Sequence, residues 1–166
     1  MDLNIIYVLT GSNLGERELF LEKARKELAR RVGELTGVSS LYETAAWGKT
    51  DQPAFLNQVL RLETPLSATV VMEQLHMIER LLGRERREQW EPRTVDLDLL
   101  FFNDSVLKIN DLQVPHPRLH LRRFTLAPLA EIAPALVHPE LKLSMKELLD
   151  RVDDPLSVRI FAARQS

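Results

Sequence analysis

The chain has no cysteine among its 166 residues. That excludes disulfides, thiolate metal centres and cysteine nucleophiles, and it fits a cytoplasmic enzyme. Long apolar runs are also missing. No stretch approaches the ~20 residues of a membrane span. The opening segment, residues 1–10, has too short an apolar run and no positive start for a secretory signal. Charge of neither sign dominates: 22 Lys and Arg against 24 Asp and Glu leave a net charge of −2. This removes the basic field on which general nucleic-acid binding depends. The common phosphate loops are lacking as well. Gly11-Ser-Asn-Leu-Gly15 precedes a helical pattern and reads as a turn, but it fits neither Gly-x-x-x-x-Gly-Lys-Ser/Thr nor Gly-x-Gly-x-x-Gly.

What is present reads as one ordinary globular domain over residues 1–166, with no repeat, linker or low-complexity segment. Ile5 to Thr10 is a strand. Glu16 to Val32 is an amphipathic helix with Phe20, Ala24, Leu28 and Val32 on one face and Gly33 as its stop. Val38 to Thr44 and Phe55 to Glu63 are strands, with Ala45 to Pro53 irregular between them. Ser67 caps a second helix to Leu82, whose core stripe is Val71, Leu75, Ile78 and Leu82. Thr94 to Phe102 is the central strand, and Asn103-Asp104 turns into a short hairpin strand, Val106 to Ile109. Ser144-Met-Lys-Glu147 is a capping box for a helix ending near Val152. The order strand, helix, strand, strand, helix, strand predicts an α+β fold: a ferredoxin-like split βαβ sandwich, its antiparallel sheet covered by helices, with a short hairpin and C-terminal helices added.

The chemistry concentrates in the segment from Arg84 to Phe102. Val95, Leu97, Leu99 and Phe101 alternate with Asp96, Asp98, Leu100 and Phe102. In a strand, residues i and i+2 share a face, so Asp96 and Asp98 point the same way with Cα atoms roughly 6.5–7 Å apart. Carboxylates that close repel unless a cation lies between them. Oxygen-only ligands suit Mg²⁺, which fills its other positions with water and phosphate oxygens. Arg84, Arg86, Arg87 and Arg93 flank the pair and could meet the phosphates. Arg118, Arg122 and Arg123 form a second group; Arg87 and Arg118 read as solvated side chains. His116 lies between two prolines, so its ring direction is restricted. Phe55 and Asn57 share a strand face and could sandwich and hydrogen-bond a flat heterocycle, although an ordinary core Phe with a satisfied Asn explains them equally. Trp47 and Trp90 fall in irregular segments.

Taken together the blocks resemble the 6-hydroxymethyl-7,8-dihydropterin pyrophosphokinase family. They are Gly11-Ser-Asn-Leu14, Tyr42-Glu-Thr44, Asp51-Gln-Pro53 with Phe55-Leu-Asn57, Ile78-Glu79 with Gly83-Arg84, Pro92-Arg-Thr-Val-Asp-Leu-Asp98, Val114-Pro-His116, and Phe124 leading to Pro128-Leu-Ala-Glu-Ile-Ala-Pro134. The resemblance implies Mg²⁺-dependent transfer of pyrophosphate from ATP to the pterin hydroxymethyl group, with release of AMP, in folate biosynthesis. By the same resemblance Asp96 and Asp98 hold two Mg²⁺ ions, and Arg84 and Arg93 bind phosphates. Glu79, His116 and Arg122 lie on the ATP side, while Thr44, Phe55, Asn57, Trp90 and Phe124 surround the pterin. The expected partners are these small molecules alone, with no nucleic acid or membrane, and the expected state is a cytoplasmic monomer. Two rivals remain at this point: a ferredoxin-like module that senses a nucleotide without chemistry, and a generic metal-dependent phosphotransferase that makes ADP.

Overall fold

The computed structural model describes residues 2–44, 54–83 and 95–164. The expectations for Trp47, Arg84, Trp90 and Arg93 lie outside the described residues. In chain order the elements are β1 (Asn4–Ser12), α1 (Arg17–Arg31), β2 (Glu34–Val38), β3 (Leu41–Thr44), β4 (Phe55–Thr64), α2 (Ala68–Leu82), β5 (Asp96–Phe102), β6 (Leu107–Ile109), β7 (Leu112–Val114), a 3₁₀ turn (Leu119–Leu121), α3 (Arg123–Ile132), α4 (Met145–Arg151) and β8 (Val158–Ala162).

One sheet carries the strand order β5-β1-β4-β3-β8, with β2 also on β4, and every pairing is antiparallel. This is the expected α+β, ferredoxin-like arrangement. Apolar residues on one sheet face (Ile6, Val8, Leu60, Leu62, Leu97, Leu99) pack with Ala24 and Leu28 of α1 and Val71, Leu75 and Ile78 of α2. The other face (Tyr7, Leu9, Val59, Phe101) packs with Leu126 and Leu129 of α3 and Met145 and Leu148 of α4. Each such fully buried side chain contributes roughly 1.5–3 kcal/mol relative to exposure. Local signals agree with these layers. The Ser67 hydroxyl accepts from the Val70 N–H, Gly83 ends α2, and Ser144 and Glu147 form the capping box of α4. Among the described residues no helix is long and apolar enough to cross a membrane.

Four expectations are corrected, and one strand was not expected. Gly11 and Ser12 belong to β1 rather than to the turn. The strand expected over Val38 to Thr44 holds β3 and only the last residue of β2, which starts earlier at Glu34, and the two pair with different halves of β4. Ser39 and Ser40 interrupt them: the Ser39 hydroxyl accepts from the Val59 N–H, and the Ser40 N–H and hydroxyl both donate to Glu131. The β1–β5 register shifts between Tyr7 and Val8, which face Phe101 and Leu99. Leu100 is therefore an extra, bulged residue. Simple alternation fails beyond it, so Phe101 joins the α3/α4 face and Phe102 the α1/α2 face. The hairpin strand β6 pairs with β7, and β5 takes no part in that pair. Finally, β8 carries exposed Ile160 and Phe161, so no buried periodicity marked it in advance.

Candidate active site

The β1 register sets Gly11 opposite both Asn57 of β4 and Asp96 of β5, and Leu9 opposite Asp98. These residues line a cleft of about 530 Å³. A Cβ on Gly11 would lie 2.6 Å from Asn57 Nδ2, too close for any real contact. A side chain at this position would displace the Asn57 amide. Asn57 is only 6% exposed, and its Nδ2 donates to the Thr10 carbonyl at 3.2 Å, which fixes the direction of the amide.

Phe55 and Thr44 are paired across β4 and β3, and both line the same cleft. The Thr44 hydroxyl is buried without a protein hydrogen-bond partner among the described residues. Such an atom costs about 1–3 kcal/mol when left dry. A ligand with a polar edge at this point would satisfy it. Phe124 and Arg122 come from the start of α3, where the Arg122 guanidinium lies 5.5 Å from the Phe124 ring centre. The cleft thus combines two aromatic rings, a fixed amide, a waiting hydroxyl and two carboxylates. Apolar walls with a few polar groups are what a flat heterocycle requires.

A second pocket of about 260 Å³ is lined by Glu79 and His76 of α2, by Gln113 and His116, and by Leu97, Asp98 and Leu99 of β5. Glu79 Oε2 accepts from the Leu97 N–H at 2.9 Å, so α2 pins the edge strand between its two aspartates. The His116 N–H donates to the Leu100 carbonyl at 2.9 Å, and its Nδ1 accepts from the Arg118 N–H at 3.2 Å. Burial pulls the His116 pKa below its ordinary value. Asp98 opposes that shift, while Arg122 and Arg118 reinforce it. A neutral imidazole accepting at Nδ1 carries its proton on Nε2, where it can donate to an anion. Among the described residues, Asp98 lines both pockets.

The rim is braced by side chains outside the expected set. Arg17 donates to the Ala54 carbonyl at 2.6 Å and pairs with Glu43 at 2.9 Å, so it ties the ends of β3 and β4 that carry Thr44 and Phe55. A hydrogen bond from Arg159, seconded by Arg17, holds the Glu43 carboxyl below the usual range. Below β3, Glu131 accepts from the Tyr42 hydroxyl at 3.1 Å, and burial together with this carboxylate pushes the Tyr42 pKa up to about 12.

The structure brings Thr44, Phe55, Asn57, Asp96, Asp98, Arg122 and Phe124 to one cleft, and Glu79 and His116 to the adjoining pocket. Arg118, read as solvated, is exposed but lies on the cleft's lining. The sequence reading missed Leu9, Leu121, Asp154 and Leu156 in the cleft, and Met72, His76, Asp111, Gln113 and Pro117 in the second pocket. None of these carried a local signal; Gly11, read as part of a turn, did carry one for the cleft, a glycine at the exit of a buried strand.

Residues 7–134 match the model of the family 7,8-dihydro-6-hydroxymethylpterin-pyrophosphokinase (HPPK), well over half of the chain. The chain belongs to that family. It is 45% identical over 130 residues to the 2-amino-4-hydroxy-6-hydroxymethyldihydropteridine pyrophosphokinase of Bacillus subtilis, covering 78% of each protein. It is 34% identical over 154 residues to the folic acid synthesis protein fol1 of Pneumocystis carinii; that match takes in 93% of this chain and 21% of the longer relative. The solved wild-type HPPK-DHPS of Plasmodium falciparum superposes with a TM-score of 0.72 at 16% identity. The superposition spans 90% of this chain and 44% of that one, and at this identity it speaks for the fold.

Proposed function

We propose that this pyrophosphokinase moves the terminal pyrophosphoryl group of ATP to the hydroxymethyl oxygen of 6-hydroxymethyl-7,8-dihydropterin, with Mg²⁺ held by Asp96 and Asp98. Family membership makes the chain a pyrophosphokinase, and the names of its relatives supply the pterin acceptor and folate synthesis. The observation that carries the site assignment is that Asp98 lines both pockets, which puts one carboxylate where two substrates would meet.

The donor chemistry fits Mg²⁺. Two carboxylates share a strand face and line the cleft, an oxygen-only donor pair. That leaves positions for water and phosphate oxygens on two ions. When bound, the metal would neutralise the phosphate chain and acidify the acceptor hydroxyl.

The protein's own groups do the positioning. Phe55 and Phe124, with Trp90, stack on the pterin, and Asn57 and Thr44 hydrogen-bond its edge. Glu79 and His116 hold ATP in the adjoining pocket, Arg122 meets its phosphates from the cleft, and His116 donates from Nε2. Arg84 and Arg93 stabilise charge growing on the transferred group. The bond from the acceptor oxygen to the β-phosphorus forms as the bond from that phosphorus to the α–β bridging oxygen breaks. AMP departs with the bridging oxygen, and the acceptor hydroxyl, acidified by the metal, would lose its proton to water. The cysteine-free composition supports a cytoplasmic site of action, and we take the working unit to be a monomer without nucleic-acid or membrane partners.

Incubation with ATP, Mg²⁺ and the pterin should give pyrophosphorylated pterin, and chelation of the metal should stop its formation. ATP consumption that ignores the pterin, or product that persists in excess chelator, would overturn the proposal.

A further inference from the structure

We infer that the segment 152–156, beyond the residues 7–134 that match the family, forms one wall of the substrate cleft: Leu156 shapes the space for the acceptor, and an Asp154–Arg123 interlock sets that wall against the start of α3. This rests on the pterin reading of the cleft given above.

Leu156 is half-buried and lines the same cleft as Phe55 and Phe124. It supplies the kind of apolar contact a flat ring gains from. Asp154 lines the cleft too, but its carboxylate is already engaged. Oδ2 accepts from the Arg123 N–H at 3.0 Å, and Oδ1 accepts from the Leu156 N–H at 3.0 Å. It is therefore a positioning residue rather than an acid or base.

The contact is reciprocal. The Arg123 guanidinium donates to the carbonyls of Asp154, of Leu156 (3.2 Å) and of Val152 (3.3 Å). Arg122, the residue at the N-cap of α3, makes no capping bond with its own side chain. Asp154 supplies an acceptor for that helix end from a distant part of the chain, and a carboxylate there also suits the helix dipole. Arg123 lies between Arg122 and Phe124, so one interlock fixes both of these cleft residues and the wall facing them. Beyond the segment, β8 is anchored by the Arg159–Glu43 pair and by Arg17 over the Phe161 ring at 5.4 Å.

Steady-state kinetics on the full chain, with ATP and the pterin varied separately, test this. Leu156→Ala should raise the pterin KM about fivefold, the effect of removing a few buried methyl and methylene contacts. Its ATP KM should stay within about twofold and its melting temperature close to wild type. Asp154→Ala should raise the pterin KM as far and, through Arg122, the ATP KM by less, and Asp154→Asn, which keeps one of the two acceptor oxygens, should recover part of both. A wild-type pterin KM in Leu156→Ala would overturn the wall. Wild-type KM values in Asp154→Ala, or no recovery at all in Asp154→Asn, would overturn the interlock. A wild-type protein that pyrophosphorylates no pterin would instead remove the proposed function, and this inference with it.

Discussion

Gly11 and Asp98 show how single residues build this cleft. Gly11 faces Asn57 on one side and Asp96 on the other, and a methyl group there would sit 2.6 Å from the Asn57 amide nitrogen. Gly11→Ala should push that amide out of its bond to Thr10. We expect a loss of about 1–3 kcal/mol of stability from overpacking, read by thermal denaturation, together with weaker pterin binding, read by titration with the pterin alone. An unchanged pterin affinity would mean that the amide does not recognise the ring. Asp98 makes a different prediction. Asp98→Ala should lower kcat more than tenfold, about 1.4 kcal/mol or more in barrier, with a melting temperature near wild type because the carboxylate is only half-buried on the cleft lining. Retention of more than about a tenth of the activity would argue against its place between the substrates.

At the scale of elements, the turn that leads into α4 depends on an uncharged histidine. His138 is 4% exposed, and its Nδ1 accepts from the N–H groups of Glu140 and Leu141, both at 3.1 Å. Its ring packs edge-on to Phe101 and His120. Burial, helped by His120 and opposed by Glu140, holds its pKa below the ordinary value. The unfolded chain takes up a proton near pH 6.5 that the folded chain refuses. Stability is therefore full above pH 6.5 and falls as pH drops toward the folded pKa. His138→Asn keeps a side-chain acceptor but cannot titrate. Its melting temperature should fall less than that of wild type between pH 7 and pH 5, and parallel curves would refute the role. The same locality explains which elements could be read in advance. α2 and α4 announced themselves through Ser67 and the Ser144–Glu147 box, because caps and stripes act within a few residues. The break at Ser39–Ser40 and the bulge at Leu100 left no such trace, since each is decided by a partner: Glu131 and Val59 in one case, the β1 register in the other.

For the molecule as a whole, the two apolar clusters lie on opposite faces of one sheet and share β1, β4 and β5. Neither can open without the other, so we propose a single cooperative domain whose calorimetric and van't Hoff enthalpies of unfolding agree. Two separated transitions would contradict that. The candidate site divides along similar lines. Asp96 with Asp98, and Phe55 with Asn57, were legible because i, i+2 spacing on a strand is a local rule. Asp154 and Leu156 were not, because only the packing of the chain's end against α3 brings them to the cleft. The central claim is that Asp98 stands between an ATP pocket and a pterin pocket, so that the terminal two phosphates move together. Phosphorus NMR of the products formed from ATP, Mg²⁺ and 6-hydroxymethyl-7,8-dihydropterin tests it directly. The account predicts one AMP for each pyrophosphorylated pterin; stoichiometric ADP with a singly phosphorylated pterin would contradict it.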